Sequence, residues 1–159
     1  MTDELGLRRA TFEDAELLWQ WSNDPVGRQS SLNTAPIEWT THVEWLRQKL
    51  QDPNCLLLIA VQEETPAAVV RFDARKGHLL VSISVAADFR GQGVGKKALS
   101  SGLEEAQRAW PSQEIHAYVK PENESSLSLF DGCGFTRKRQ MDVEGGKVWH
   151  LVLHTVDAP

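Results

Sequence analysis

The stretch DFRGQGVGKKAL, residues 88–99, limits what this chain can fold into more than any other segment does. Three glycines, Gly91, Gly93 and Gly95, fall within five residues, just after the apolar, β-branched run HLLVSISVAA. Glycine inside regular structure costs about 0.5–1 kcal/mol relative to alanine. Three together at a strand-to-helix junction mark a backbone that another group must approach closely. Backbone N–H groups at a helix start favour an anion, so a phosphate is the group this junction suits.

Two familiar phosphate loops are excluded by spacing and context. A G-x-x-x-x-G-K-[ST] loop would need glycine where Arg90 stands and a hydroxyl where Lys97 stands. A G-x-G-x-x-G fingerprint counted from Gly91 meets Lys96 at its third glycine, and counted from Gly93 it meets Ala98. The second count satisfies the looser form. However, the preceding strand closes a meander and does not open a parallel βαβ unit. What is left is R-x-x-G-x-G over Arg90, Gly93 and Gly95, with Lys96 and Lys97 adding positive charge.

The rest of the chain reads as one mixed α/β domain over residues 1–159. Leu5–Arg9 reads as a strand, and Thr11 with Asp14 reads as a capping box that opens a helix ended by Asn23-Asp24-Pro25. A polar loop, GRQSSLNTAP, follows. Thr41 and Glu44 are expected to cap a second helix, closed by Asp52-Pro53. Cys55–Gln62, Ala67–Asp73 and His78–Val85 read as an antiparallel meander. After the glycine loop comes a helix from Val94 to Trp110, then a strand Ile115–Val119, a short helix Asn123–Asp131 and a closing hairpin around Glu144-Gly145-Gly146.

Composition narrows the class. A length of 159 residues with 41% hydrophobic and 25% charged residues suits a single globular domain with a real core. No apolar run is long enough for a membrane span, and MTDELGLRRA lacks a signal core, so a cytoplasmic protein without a membrane partner is expected. Two cysteines, Cys55 and Cys133, make neither a disulfide framework nor a zinc site, and no metal is expected. A net charge of −5 argues against a nucleic-acid partner. The basic triplet Arg137-Lys138-Arg139 reads as a solvated strand edge.

The loop resembles the acyl-CoA pyrophosphate loop of the GNAT superfamily of N-acetyltransferases, Q/R-x-x-G-x-G/A. NESSLSLFDGCGF, residues 123–135, is similar to that family's downstream signature, N-x-x-A-x-x-L-Y-x-x-x-G-F, through Asn123, Leu129, Gly134 and Phe135. The resemblance implies a mostly antiparallel sheet of about seven strands, with helices on both faces and a splay between the fourth and fifth strands. Acetyl-CoA is then the expected acyl donor. Its ligands would be Val85, Ala87, Arg90, Gly91, Gln92, Gly93, Val94, Gly95, Lys96, Asn123, Ser126 and Phe130. Asn123 also reads as a plain helix N-cap, and both roles can hold at once.

The sequence departs from the family at one telling position. Phe130 stands where the family carries a tyrosine general acid, and a phenyl ring has no proton to give. Cys133 and Ser128 are weak substitutes. A base for the attacking amine is sought among His42, His78 and Glu44, with His42 the first choice and a structural histidine the competing reading.

Six tryptophans are many for this length, and Trp19, Trp21, Trp39 and Trp45 crowd the first third. Here the segment resembles the acceptor region of acetyltransferases acting on nucleotide-linked aminosugars in the pseudaminic acid pathway, through W-x-N-D-P…R…S…P-I…H…W. That implies an acceptor site of Trp21, Asn23, Arg28, His42 and Trp45, with Arg28 on a diphosphate. Trp19 is expected to be core. A small-molecule amine is the leading acceptor, with oligomeric state left open and a homodimer allowed. Two alternatives stay open: a protein N-terminal or lysine acetyltransferase, and a non-catalytic acyl-CoA-binding domain.

Overall fold

A computed structural model describes residues 5–154. Seven strands form one sheet in the order β1-β2-β3-β4-β5-β7-β6. They are β1 (Leu5–Arg9), β2 (Cys55–Gln62), β3 (Thr65–Arg75), β4 (His78–Val85), β5 (Glu114–Val119), β6 (Thr136–Val143) and β7 (Gly146–Leu153). The helices are α1 (Ala15–Ser22), α2 (Pro25–Ser30), α3 (Trp39–Gln51), α4 (Val94–Ala109) and α5 (Glu124–Gly132).

The unbroken apolar run of β2 follows from burial on both faces. Leu56, Leu58 and Ala60 pack with Val94, Leu99 and Leu103 of α4 and Leu127 and Phe130 of α5. Their neighbours Cys55, Leu57 and Ile59 pack with Ala15 and Leu18 of α1 and Leu46 of α3. Helices therefore cover both faces, as expected. The triplet Arg137, Lys138 and Arg139 lies on β6, the sheet's last strand, where charge discourages edge-to-edge pairing.

Every neighbouring pair of strands is antiparallel except β4 and β5. Those two are parallel, and their pairing stops after His78↔Glu114, Leu79↔Ile115 and Leu80↔His116. Beyond that point β4 keeps only β3 and β5 keeps only β7. The expected splay is present, and its open end lies between Val85 and Val119.

Two local expectations change. The polar stretch after Asn23 is not one loop, because Pro25–Ser30 forms α2 with Asp24 as its N-cap. Asp at N-cap followed by Pro at the first helical position is a helix-start signal, so Asp24-Pro25 both ends α1 and opens α2. The helix α3 begins at Trp39 behind Glu38, which leaves Thr41 and Glu44 inside it and not at a cap. Ile37 explains the earlier start. Its N–H donates to Asn23 Oδ1 at 2.8 Å, and its carbonyl accepts from Asn23 Nδ2 at 3.0 Å and Trp19 Nε1 at 2.8 Å. The chain is thus held at the point where the helix sets out. The box at Thr11 holds, its N–H donating to Asp14 Oδ2 at 2.8 Å.

Candidate functional site

The glycine loop stands at the open end of the β4–β5 gap. Behind Val85 a 3-10 turn, Ala87–Phe89, leads into it. Gly91 and Gly93 have φ of +76° and +79°, left-handed backbone that suits glycine, and Gly93 is the N-cap of α4. A Cβ on either would meet nothing within 4 Å, so the loop faces open space. Gly95 differs: a Cβ there would lie 3.2 Å from Val85 Cγ2 and 3.3 Å from Leu129 Cδ1, so it serves close packing of α4 on β4 and α5. Val94 is buried beneath the helix start. Gln92 Nε2 donates to the Asp88 carbonyl at 3.0 Å and holds the turn. The Lys96 side chain runs past Gly132, at the end of α5. The first-turn N–H groups of α4 have no partner inside the helix and are the donors an anion would meet.

Arg90 points elsewhere. Its Nε donates to the Val85 carbonyl at 3.2 Å, and its NH2 forms an ion pair with Asp24 Oδ2 at 2.8 Å. The guanidinium braces the loop against the end of β4 and against the start of α2. It also holds the Asp24 carboxyl below its ordinary value. On the opposite side of the gap Asn123 caps α5, its Oδ1 accepting from the Ser126 N–H at 3.2 Å. Phe130 is 3% exposed and meets Phe135 edge-on, with centroids 4.9 Å apart. It is a core residue in this structure. The chain's one tyrosine, Tyr118, lies on β5 past the last β4–β5 rung, 40% exposed and stacked on His150.

The expected acceptor residues do not gather into one pocket. Trp21 lines a cleft of about 240 Å³ together with Asp24, Pro66, Val85 and Arg90. Asn23 is engaged with the Ile37 backbone. Arg28 clamps the loop after α2, donating to the Ala35 carbonyl at 2.9 Å and to Ser31 Oγ at 3.0 Å. His42 is 2% exposed and Nε2 lies 2.8 Å from the Ala15 carbonyl, to which it donates. Burial pushes its pKa down, against the smaller upward pull of that carbonyl, so the ring is a neutral pin between α1 and α3. Expected as the base, His42 is placed here as a packing residue, enclosed and bonded to backbone. Trp45 packs on the α1–α3 core, with the Arg71 guanidinium 5.2 Å from its ring centroid. Trp19, expected in the core, is half-buried and bonded to Ile37.

The remaining base and acid candidates fare as follows. His78 sits at the closed end of the β4–β5 pair, and Glu44 is an exposed partner of Arg47 at 3.8 Å. Ser128 is exposed, and Cys133 Sγ lies 3.6 Å from Ser100 Oγ. Burial pushes the Cys55 thiol up to about 11. Among the described residues no group of three or more His, Cys, Asp or Glu side chains is placed to hold a metal ion. None of the described helices is long and apolar enough to cross a membrane.

A sequence profile for the acetyltransferase (GNAT) domain matches residues 4–136. The chain belongs to the GNAT acetyltransferase family. No curated protein sequence matches it significantly. Solved structures of similar fold include a spermidine N-acetyltransferase from Vibrio cholerae in complex with CoA and spermine. It shares 15% identity and a TM-score of 0.84 over 96% of each chain. YncA, a putative acetyltransferase from Salmonella typhimurium with its cofactor acetyl-CoA, shares 22% identity and a TM-score of 0.79 over 98% of each chain. AAC(6')-Ib in complex with ribostamycin and CoA shares 19% identity and a TM-score of 0.82, over 96% of this chain and 94% of its own. The GNAT reading thus accounts for the glycine loop and the parted strands together.

Sequence reasoning missed the roles of two residues at this GNAT gap. Asp24, read only as a helix end and as part of the W-x-N-D-P pattern, caps α2 and pairs with Arg90, and its signal was the Asp-Pro pair. Lys120, only 9% exposed at the end of β5, carried none, because a lysine after a strand reads as solvent-facing.

Proposed function

We propose that this GNAT chain moves an acetyl group from acetyl-CoA to the primary amine of a small molecule. One observation carries the reading: the sheet parts between β4 and β5 where a left-handed glycine loop and the start of α4 meet. The loop suits a pyrophosphate. Gly91 and Gly93 turn no side chain toward it, α4 offers N–H donors, and Lys96 and Lys97 add charge. Edges of β4 and β5 left without a strand partner beyond Leu80 and His116 suit an extended amide-bearing arm, with Val85 at its β4 side.

The donor supplies a thioester. A neutral amine forms the N–C bond to its carbonyl carbon, the C–S bond breaks, and the amine's proton ends on the thiol of CoA. The chain's part is to place the thioester and admit the amine. The cleft beside Trp21 and Asp24 adjoins the end of β4 and offers an opening for that amine.

The neighbours support a small amine, since their complexes hold spermine and ribostamycin. A nucleotide-linked aminosugar belongs to the same class. Arg28, expected on its diphosphate, donates from two of its nitrogens to the Ala35 carbonyl and Ser31, so binding a diphosphate there would require exchanging those contacts. The test is acetyl-CoA turnover against a panel of spermidine, ribostamycin, UDP-linked 4-aminosugars and peptides with free N-termini. Turnover of at least one small amine in preference to peptides is expected. Turnover of peptides alone would overturn the acceptor class, and CoA binding without any turnover would favour a binding domain.

A further inference from the structure

The short helix α2 crosses the open end of the β4–β5 gap and is fastened at both ends. At its N-terminus Asp24 pairs with Arg90 at 2.8 Å, and Arg90 is itself tied to the last residue of β4 through the Val85 carbonyl. At its C-terminus the Gln29 carbonyl accepts from Lys120 Nζ at 3.0 Å, and Lys120 directly follows β5. The partners are 66 and 91 residues apart in sequence, so neither contact follows from local folding. From Asp24 to Gln29 the helix rises about 7.5 Å, at about 1.5 Å per residue. Paired strands lie only about 4.8 Å apart. The helix therefore outspans a closed strand pair and bridges an opened one.

Both fastenings have the right polarity. A carboxylate at a helix N-terminus and an ammonium at its C-terminus each complement the helix dipole. Asp24 also accepts the Gly27 N–H at 3.2 Å, so one carboxylate caps the helix and ties it down. On the far side of the loop the β6–β7 turn comes close: a Cβ on Gly145 would collide with the Leu32 carbonyl.

We infer that α2 is a strap over the mouth of the acyl-donor gap and that Asp24 and Lys120 are its positioning residues. The inference rests on reading the gap as the acetyl-CoA site. Asp24–Arg90 joins the strap to the loop that would hold the pyrophosphate, so filling the loop and gap steadies the strap. Lys120 fixes the other lip and keeps β5 at the distance the strap allows.

Hydrogen exchange with mass readout on the full chain, with and without CoA, tests this, alongside calorimetry of CoA binding. CoA is expected to slow exchange across residues 25–36 at least fivefold in the wild type. Asp24→Asn and Lys120→Met are each expected to speed it at least tenfold without CoA and to lose most of the CoA-induced protection. Lys120→Arg, which keeps the charge, is expected to restore it. Arg90→Gln releases Asp24 from the other side and is expected to reproduce the Asp24→Asn pattern, which covers the case where one variant fails to fold. Wild-type protein that fails to bind CoA would overturn the reading of the gap, and the strap with it. Wild-type protein that binds CoA without protecting 25–36, or variants exchanging at the wild-type rate, would overturn the strap alone.

Discussion

Two glycines with nearly the same backbone make a controlled experiment on the candidate pyrophosphate loop. Gly93 has φ +79° and Gly77, in the β3–β4 turn, has φ +85°. A Cβ on either meets no atom within 4 Å, so substitution brings no clash inside the protein. The penalty at both is the left-handed backbone alone, about 1–2 kcal/mol for an L-residue. For a domain of this size each kcal/mol lowers Tm by about 2–4 °C, so Gly93→Val and Gly77→Val should each melt about 2–8 °C early. Their ligand behaviour should part company. The space in front of Gly93 is where a phosphate would lie, and an isopropyl group there excludes it. CoA affinity, measured by calorimetry, should fall at least 100-fold in Gly93→Val, about 2.7 kcal/mol, and stay within twofold in Gly77→Val. Wild-type affinity in Gly93→Val would refute the loop assignment. An equal loss in both variants would show that the effect is instability and not exclusion.

Three further outcomes follow from the geometry. His116 Nε2 lies 3.1 Å from a Glu114 carboxylate oxygen, to which it donates, so its Nδ1 accepts from His150 Nε2 at 3.0 Å, while His78 stacks on it at 4.2 Å. Burial first, then the neighbouring His116, pushes His78 and His150 below the ordinary 6.5, so the unfolded chain takes up protons before the folded one. Stability is therefore full above about pH 6.5 and falls as pH drops below it, and a Tm unchanged between pH 8 and 5 would contradict this. Burial works against ionisation of Asp73, but Lys49 and Arg71, each at 2.8 Å, outweigh it and hold the carboxyl below 3.8. Asp73→Asn should lower stability by about 1–3 kcal/mol in urea denaturation at pH 7 and flatten the acid limb below pH 4, where wild-type loses that contribution. Arg28→Lys cannot span both the Ala35 carbonyl and Ser31, so exchange across 31–37 should quicken while CoA affinity holds; a CoA affinity lost with it would give Arg28 a donor role.

Much of this protein is written in local pattern. The uninterrupted apolar run of β2, the three-stranded meander and the caps at Thr11 and Asn123 follow from short-range preference, and each stands where that preference puts it. The glycine loop was legible because left-handed backbone and close approach admit few other residues. Element order was legible in local pattern too, whereas the parting of β4 from β5 came with the resemblance those motifs carry. The acceptor side was not legible, and the reason is physical. Trp45, Arg28, Asn23 and His42 are amphipathic or polar groups that serve equally well against a ligand or against backbone carbonyls. Tertiary packing chose the second for all three of Arg28, Asn23 and His42. The irregular segment between α2 and α3 needs partners for its own N–H and C=O groups, which Arg28 and Asn23 supply, and His42 is taken by the Ala15 carbonyl of α1. Arg90, expected at a phosphate, is paired with Asp24. Lys120 became a buried anchor only because α2 ends its carbonyls there. Sequence determined which elements form; contacts between residues 66 and 91 positions apart decided which side chains are left to meet a substrate.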